Sequence, residues 1–210
     1  MRIVIRKGAL KSALRSSQWV LGAAAALMLG YCGLVLADSW LFQKAERRQF
    51  EQLLHDRQEI SDSKSPASSS SSSSFWPPAA TGGLIGRIEI PRLGVSVIVV
   101  EGVDRLILRR SVGHIPGTAQ PGQSGNVGIS GHRDTFFRPL RNIRRDDIIT
   151  LTTLRGAYRY RVVSTKVVSA SNVDVLDPSE NEILTLVTCY PFYFVGPAPD
   201  RFIVRAERVT

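Results

Sequence analysis

From Gln18 to Ala37 the chain carries no charged side chain, and this run cannot belong to the core of a small soluble domain. It is about 20 residues long, enough for a helix rising about 1.5 Å per residue to cross a hydrocarbon layer of about 30 Å. Arg2, Arg6, Lys7, Lys11 and Arg15 precede it, with no acidic residue among positions 1–37. Basic flanks stay on the cytoplasmic side, so everything after the run is expected outside the cytoplasmic membrane. A cleaved signal peptide is the rival, because Val35-Leu36-Ala37 is a tolerable cleavage sequence. The run is longer than a usual signal core, which favours an uncleaved, single-pass anchor with a cytoplasmic N-terminus. The expected division is a basic cytoplasmic segment 1–18, a transmembrane helix 19–37, a stalk and linker 38–81, and a folded domain 82–210.

The anchor also explains much of the charge. The formal net charge is +9, and five basic residues sit ahead of the apolar run. The remaining excess is mostly arginine scattered along the C-terminal part, without the compact basic tract or interleaved aromatics of a nucleic-acid surface. Nucleic acid is therefore not an expected partner.

After the apolar run, Leu41, Phe42, Phe50, Leu53, Leu54 and Ile60 recur at loosely helical spacing in a charged, glutamine-rich segment, which reads as a helical stalk. Ser61 to Ser74, with an unbroken serine run from Ser68, is followed by Pro77-Pro78. Such sequence has nothing apolar to bury and reads as a tether. From Gly82 the texture changes to short β-like runs broken by Gly, Pro and Asp. The expected strands are Leu84–Ile90, Val95–Glu101, Asn126–Ser130, Asp147–Leu151, Tyr158–Val168, Ile183–Thr188 and Arg201–Ala206. Only Val103–Arg110 and Thr135–Ile143 have a weak helical pattern. This predicts a mostly β domain, closed as a barrel or stacked as a sandwich.

Chemistry enters at the end of the strand Leu184-Thr185-Leu186-Val187-Thr188-Cys189. Pro191 stops the ladder just beyond it, since proline has no N–H to donate. The only other cysteine, Cys32, lies in the apolar run, so Cys189 has no disulfide partner in its own domain. An unpaired cysteine is a candidate nucleophile where a histidine can take its proton. His132 follows the strand Asn126–Ser130 and thus also sits at a strand end. Arg201 opens the last strand; if that strand pairs antiparallel with the cysteine strand, the two residues share a rim. Thiol, imidazole and guanidinium on one rim suit acyl transfer: attack on a carbonyl, protonation of the leaving amine, and support of the oxyanion or of the substrate backbone.

Each of these residues has a plainer reading. A strand cysteine is commonly an inert small hydrophobe, and Arg201 can be a solvated edge charge. His114 reads as a turn or surface histidine, and Asp134 either orients His132 or pairs with Arg133 or Arg138. Thr188 is small enough to lie beside the thiol and bind substrate, yet a β-branched strand residue needs no such role. Gly128-Ile129-Ser130-Gly131-His132 lacks the last glycine and the following helix of a serine-hydrolase elbow. No Cys/His set has zinc spacing and no glycine-rich segment has phosphate-loop spacing, so neither a metal nor a cofactor is expected.

Thr185-Leu186-Val187-Thr188-Cys189 resembles the Thr-Leu-x-Thr-Cys signature of sortases, and Gly131-His132-Arg133-Asp134 resembles their histidine motif. Arg201 stands where sortases carry their arginine. Gly113-His114-Ile115-Pro116-Gly117-Thr118 and Ser130-Gly131-His132-Arg133-Asp134-Thr135-Phe136-Phe137 are most similar to the class D branch. The resemblance spans residues 84–208. It implies an eight-stranded sortase barrel on a membrane tether, with Cys189, His132 and Arg201 catalytic. It also implies cleavage of a C-terminal sorting signal of the Leu-Pro-x-Thr-Gly type after its threonine, on surface proteins or pilins. The thioacyl enzyme would pass to an amine on a cell-wall precursor or a pilin lysine. A cysteine endopeptidase using water, and a non-catalytic tethered β-domain, are the rival functions.

Overall fold

A computed structural model describes residues 7–63, 80–193 and 196–209; the side chains of residues 7–14 and 59–63 lie outside that description. The chain divides into two units, the first ending at Leu41 and the second starting at Phe42. The first unit is the opening part of helix α1 (Lys7–Ser63). The helix is long and apolar enough there to cross a membrane. Trp19, Leu27, Met28 and Leu34 are all exposed, as lipid-facing side chains would be.

The second unit is built on eight strands: β1 (Leu84–Ile90), β2 (Val95–Glu101), β3 (Val112–His114), β4 (Gly125–Ser130), β5 (Ile148–Thr153), β6 (Gly156–Ser169), β7 (Glu182–Tyr190) and β8 (Asp200–Val209). They close in the order β1-β2-β3-β4-β7-β8-β6-β5. The mostly β barrel with short helices is therefore what forms. Closure removes the two sheet edges that an open antiparallel sheet would have to protect. Two neighbouring pairs are parallel, β2 with β3 and β4 with β7, and the rest are antiparallel. Parallel neighbours need crossovers, and short α2 (Arg105–Arg110) supplies the one between β2 and β3. Asp104 caps it by accepting from the amides of Leu106 and Ile107.

Alternation along the strands fills the barrel. Ile88, Ile90, Val97, Val99, Val127, Ile129, Leu151, Tyr160, Val162, Leu184, Leu186, Val204 and Ala206 form one buried cluster. In β4 and β7 the core residues are Val127 and Ile129, and Leu184 and Leu186, so each next-but-one residue faces inward and those between face out. Gly131 continues the inward set: a Cβ there would come within 2.7 Å of the Phe137 ring and 2.9 Å of Val112. No other residue lets the chain leave β4 so close to that ring.

The segment expected to rise as a stalk lies against the barrel instead. Strand β2 pairs with β3 only from Val99 onward, which leaves the outer edge of residues 95–98 open. The α1 residues Gln43 and Arg47 close it. Gln43 Oε1 accepts from the Ile98 amide at 3.0 Å, and Arg47 donates to the Ser96 carbonyl and hydroxyl. Phe50 is fully buried, Arg57 donates to the Leu154 carbonyl, and Arg110 lies over the Phe42 ring. Gln43, Arg47, Phe50, Leu54 and Arg57 recur at alternating spacings of four and three, one stripe of a helix. Burying the phenylalanine contributes about 2 kcal/mol to holding it there. The serine run 68–74 and Pro77-Pro78 lie outside the described residues.

Candidate active site

Cys189 is the last residue but one of β7, and cross-strand pairing puts Arg201 of β8 directly opposite. Parallel pairing of β4 with β7 matches Ser130 to Val187, so the next step of two residues along each strand reaches His132 and Cys189. The Gly131 amide donates to the Val187 carbonyl at 3.1 Å and carries the pairing past the end of β4. Inward residues in these strands are Leu184, Leu186, Ile129 and Val204, which puts Cys189, His132 and Arg201 on the opposite, outer face. The expected rim is thus a patch of barrel wall where β4, β7 and the start of β8 meet. All three side chains are half-buried.

Farther back along β4 and β7 the same face is covered. Ile115 and Thr118, from the connection before β4, and Leu176, from the connection before β7, close over Gly128. Thr185 donates to Asn126 Oδ1, and Asn126 donates in turn to the Val175 and Asp177 carbonyls. The cover gives out at Ser130 and Val187, both half-buried like Cys189 itself.

Several ties hold the His132 backbone. Phe137 donates its amide to the His132 carbonyl at 3.1 Å, and the Thr188 hydroxyl donates to the Gly131 carbonyl at 2.7 Å. Thr188 is 2 % exposed and faces the barrel interior, so its hydroxyl is spent on the chain before the imidazole. The expected contact between Thr188 and substrate does not fit this placement, because a buried, committed hydroxyl has no path to a ligand. Arg201 donates to the carbonyls of Ala198 at 3.2 Å and Asp200 at 2.9 Å, which braces it against its own loop. Cys189 and Cys32 are both free thiols.

His114 and Arg133 stand differently from their sequence reading, while Asp134 takes one of the pairings the sequence offered. His114 is no surface histidine: it is 1 % exposed, with Glu101 Oε2 at 2.8 Å from Nδ1 and the Ala119 carbonyl at 2.9 Å from Nε2. Asp134 is 71 % exposed and pairs with Arg133 at 3.4 Å. Arg133 had no expected role beyond that pairing, yet it is buried and donates to the carbonyls of Pro191 at 2.6 Å and Gly196 at 3.1 Å. Among the described residues no group of three His, Cys, Asp or Glu side chains could hold a metal ion.

Known proteins are similar to this chain in sequence and in fold. Residues 88–209 match the family model described as the sortase domain. Sortase D of Bacillus subtilis is 33 % identical over 189 residues, covering 90 % of this chain and 95 % of that protein. A sortase D5 transpeptidase of Clostridium perfringens superposes with a TM-score of 0.64 at 26 % identity, over 80 % of this chain and 99 % of that one. Sortase C of the same species superposes with a TM-score of 0.57 at 30 % identity, over 63 % and 73 %.

Proposed function

This chain belongs to the sortase family, with its likeness to class D, and from that premise we propose that it is a membrane-anchored cysteine transpeptidase acting on C-terminal sorting signals. The observation that supports the reading is the strand register: Cys189 faces Arg201 across one ladder, and the Ser130–Val187 pair that ends the other ladder stands two residues before both His132 and Cys189.

Cys189 thiolate attacks the carbonyl carbon of the signal threonine, in a peptide of the Leu-Pro-x-Thr-Gly type. A C–S bond forms and the carbonyl π pair moves onto oxygen. The Arg201 guanidinium donates to that oxyanion or to the adjacent substrate backbone. His132, as imidazolium, gives its proton to the departing amine as the C–N bond breaks, leaving a thioester on Cys189. An acceptor amine, on a cell-wall precursor or a pilin lysine, then loses a proton to His132 and attacks the thioester; thiolate and imidazolium are restored. Thr188 acts through the Gly131 carbonyl to fix where His132 leaves the sheet. Helix α1 is the single-pass anchor, and its basic N-terminal flank keeps that end cytoplasmic.

The test is cleavage of a sorting-signal peptide with and without an added amine. Cys189→Ala and His132→Ala are each expected to abolish cleavage. The parent should trap an acyl-enzyme visible by mass spectrometry and yield the amide when amine is supplied. Arg201→Lys keeps the charge but loses the two-pronged donor, so turnover should fall on the order of a hundredfold. Full activity in Cys189→Ala would overturn the proposal, and product carrying only water would reassign it to hydrolysis.

A further inference from the structure

Arg133 is 5 % exposed, a rare place for an arginine, and its guanidinium reaches partners far away in sequence. One terminal nitrogen donates to the Pro191 carbonyl at 2.6 Å and the other to the Gly196 carbonyl at 3.1 Å, while Nε lies 3.4 Å from Asp134. Its own backbone comes directly after His132. Pro191 stands two residues after Cys189, and Gly196 lies on the approach to Arg201. The side chain therefore closes the end of β4, the end of β7 and the lead into β8 into one ring. From this geometry we infer that Arg133 is a positioning residue that sets His132 and the β7–β8 connection at working distance from the Cys189 thiol.

Chemistry favours arginine over any other residue at this point. A planar fork satisfies two carbonyls at once with fixed directions, whereas lysine offers one compact donor centre on a flexible stem and cannot span both. The carbonyls also neutralise the local cost of burying the cation, with exposed Asp134 supplying the opposite charge. Thr188 and Arg133 share the task from two sides: the threonine hydroxyl holds the backbone before His132, and the guanidinium holds the backbone after it.

The inference rests on the reading of Cys189 and His132 as a reacting pair, and the experiment separates the two. Full-length protein in detergent is treated with iodoacetamide between pH 5 and 9, and alkylation of the Cys189 peptide is followed by mass spectrometry. His132→Ala is the reference for a thiol without its imidazole. Arg133→Met is expected to change the rate and pH profile in the same direction as His132→Ala, on the order of ten- to a hundredfold at the point of largest difference. Arg133→Lys should fall between Arg133→Met and the parent. Amide exchange at Phe192 and Gly196 should accelerate in both variants. A merely structural Arg133 would lower the melting temperature and leave the alkylation profile of the folded protein unchanged, which overturns the inference. Should Arg133→Met fail to fold, Arg133→Lys decides by the same profile. If His132→Ala itself matches the parent, the pairing of thiol and imidazole falls, and this inference with it.

Discussion

The dipeptide Gly-His occurs twice, as Gly113-His114 closing β3 and as Gly131-His132 just beyond β4, on strands that pair with one another. His114 lies inside, its two ring nitrogens taken up by Glu101 and the Ala119 carbonyl. His132 lies half-exposed on the outer face, its backbone pinned just past the end of the β4–β7 ladder that carries Cys189. The same residue type therefore serves as a fastener in one case and as a candidate proton carrier in the other. Enclosure and committed partners decide which, since a general acid must reach a substrate proton and a structural histidine must not be free to move.

Exchanging the two roles by mutation gives the largest expected effects. His132→Ala should abolish measurable transpeptidation, a loss of about a thousandfold or more, and leave the urea midpoint nearly unmoved. His114→Ala should reverse that pattern: per folded molecule the activity persists, while unfolding free energy drops by about 3 kcal/mol because buried Glu101 loses its imidazole partner and is left with the long Gln120 amide contact at 3.4 Å. Kinetics normalised to titrated thiol, beside urea denaturation, checks both. A thousandfold activity loss in His114→Ala with a normal midpoint would break the comparison.

Thr188→Val sharpens it at smaller scale. The swap keeps the shape but removes the donor to the Gly131 carbonyl, so stability should fall by about 1–2 kcal/mol and turnover should fall as His132 loosens. Unchanged turnover would mean that the other ties suffice.

The smallest effect is expected where a buried polar group has no fastening to lose. The Tyr160 hydroxyl is fully buried with no hydrogen-bond partner among the described residues. Burial, and then the Glu182 carboxylate, push its ionisation up to about 12 from 10.0. Its neutral form is the one the fold favours. Stability tied to this group is complete below pH 10.0 and is lost as pH rises through about 12. Tyr160→Phe should therefore be neutral or slightly stabilising at pH 7 and should flatten the alkaline decline, as thermal melts across pH 8–12 would show.

How much of the fold and the site was legible in the sequence depends on how local each signal is. β1 and β2 stand at their expected boundaries, because alternating β-branched residues between Gly and Pro are a local pattern. β3 escaped notice: three residues with a central glycine carry no period, and only parallel pairing to β2 makes them a strand. Thr135–Ile143, expected as a weak helix, is a turn followed by a 3-10 segment at Arg138–Asn142. Of the site, the cysteine, histidine and arginine were visible as motif residues at strand ends. Arg133 was not, since its meaning lies in carbonyls 58 and 63 residues away, and an arginine is by default expected in water. The Gln43-to-Arg57 stripe was missed because its contacts are polar at both ends, so hydropathy alone showed only Phe50 and Leu54.

The way α1 lies along β2 bears on how the enzyme should be handled at the bench. A soluble fragment begun at Gly82, the natural cut by sequence, would strip off Gln43, Arg47 and Phe50 and leave a raw strand margin beside an empty aromatic socket. Such margins recruit strands from other copies, so that fragment should clump on concentration, whereas one begun at Phe42 should stay dispersed.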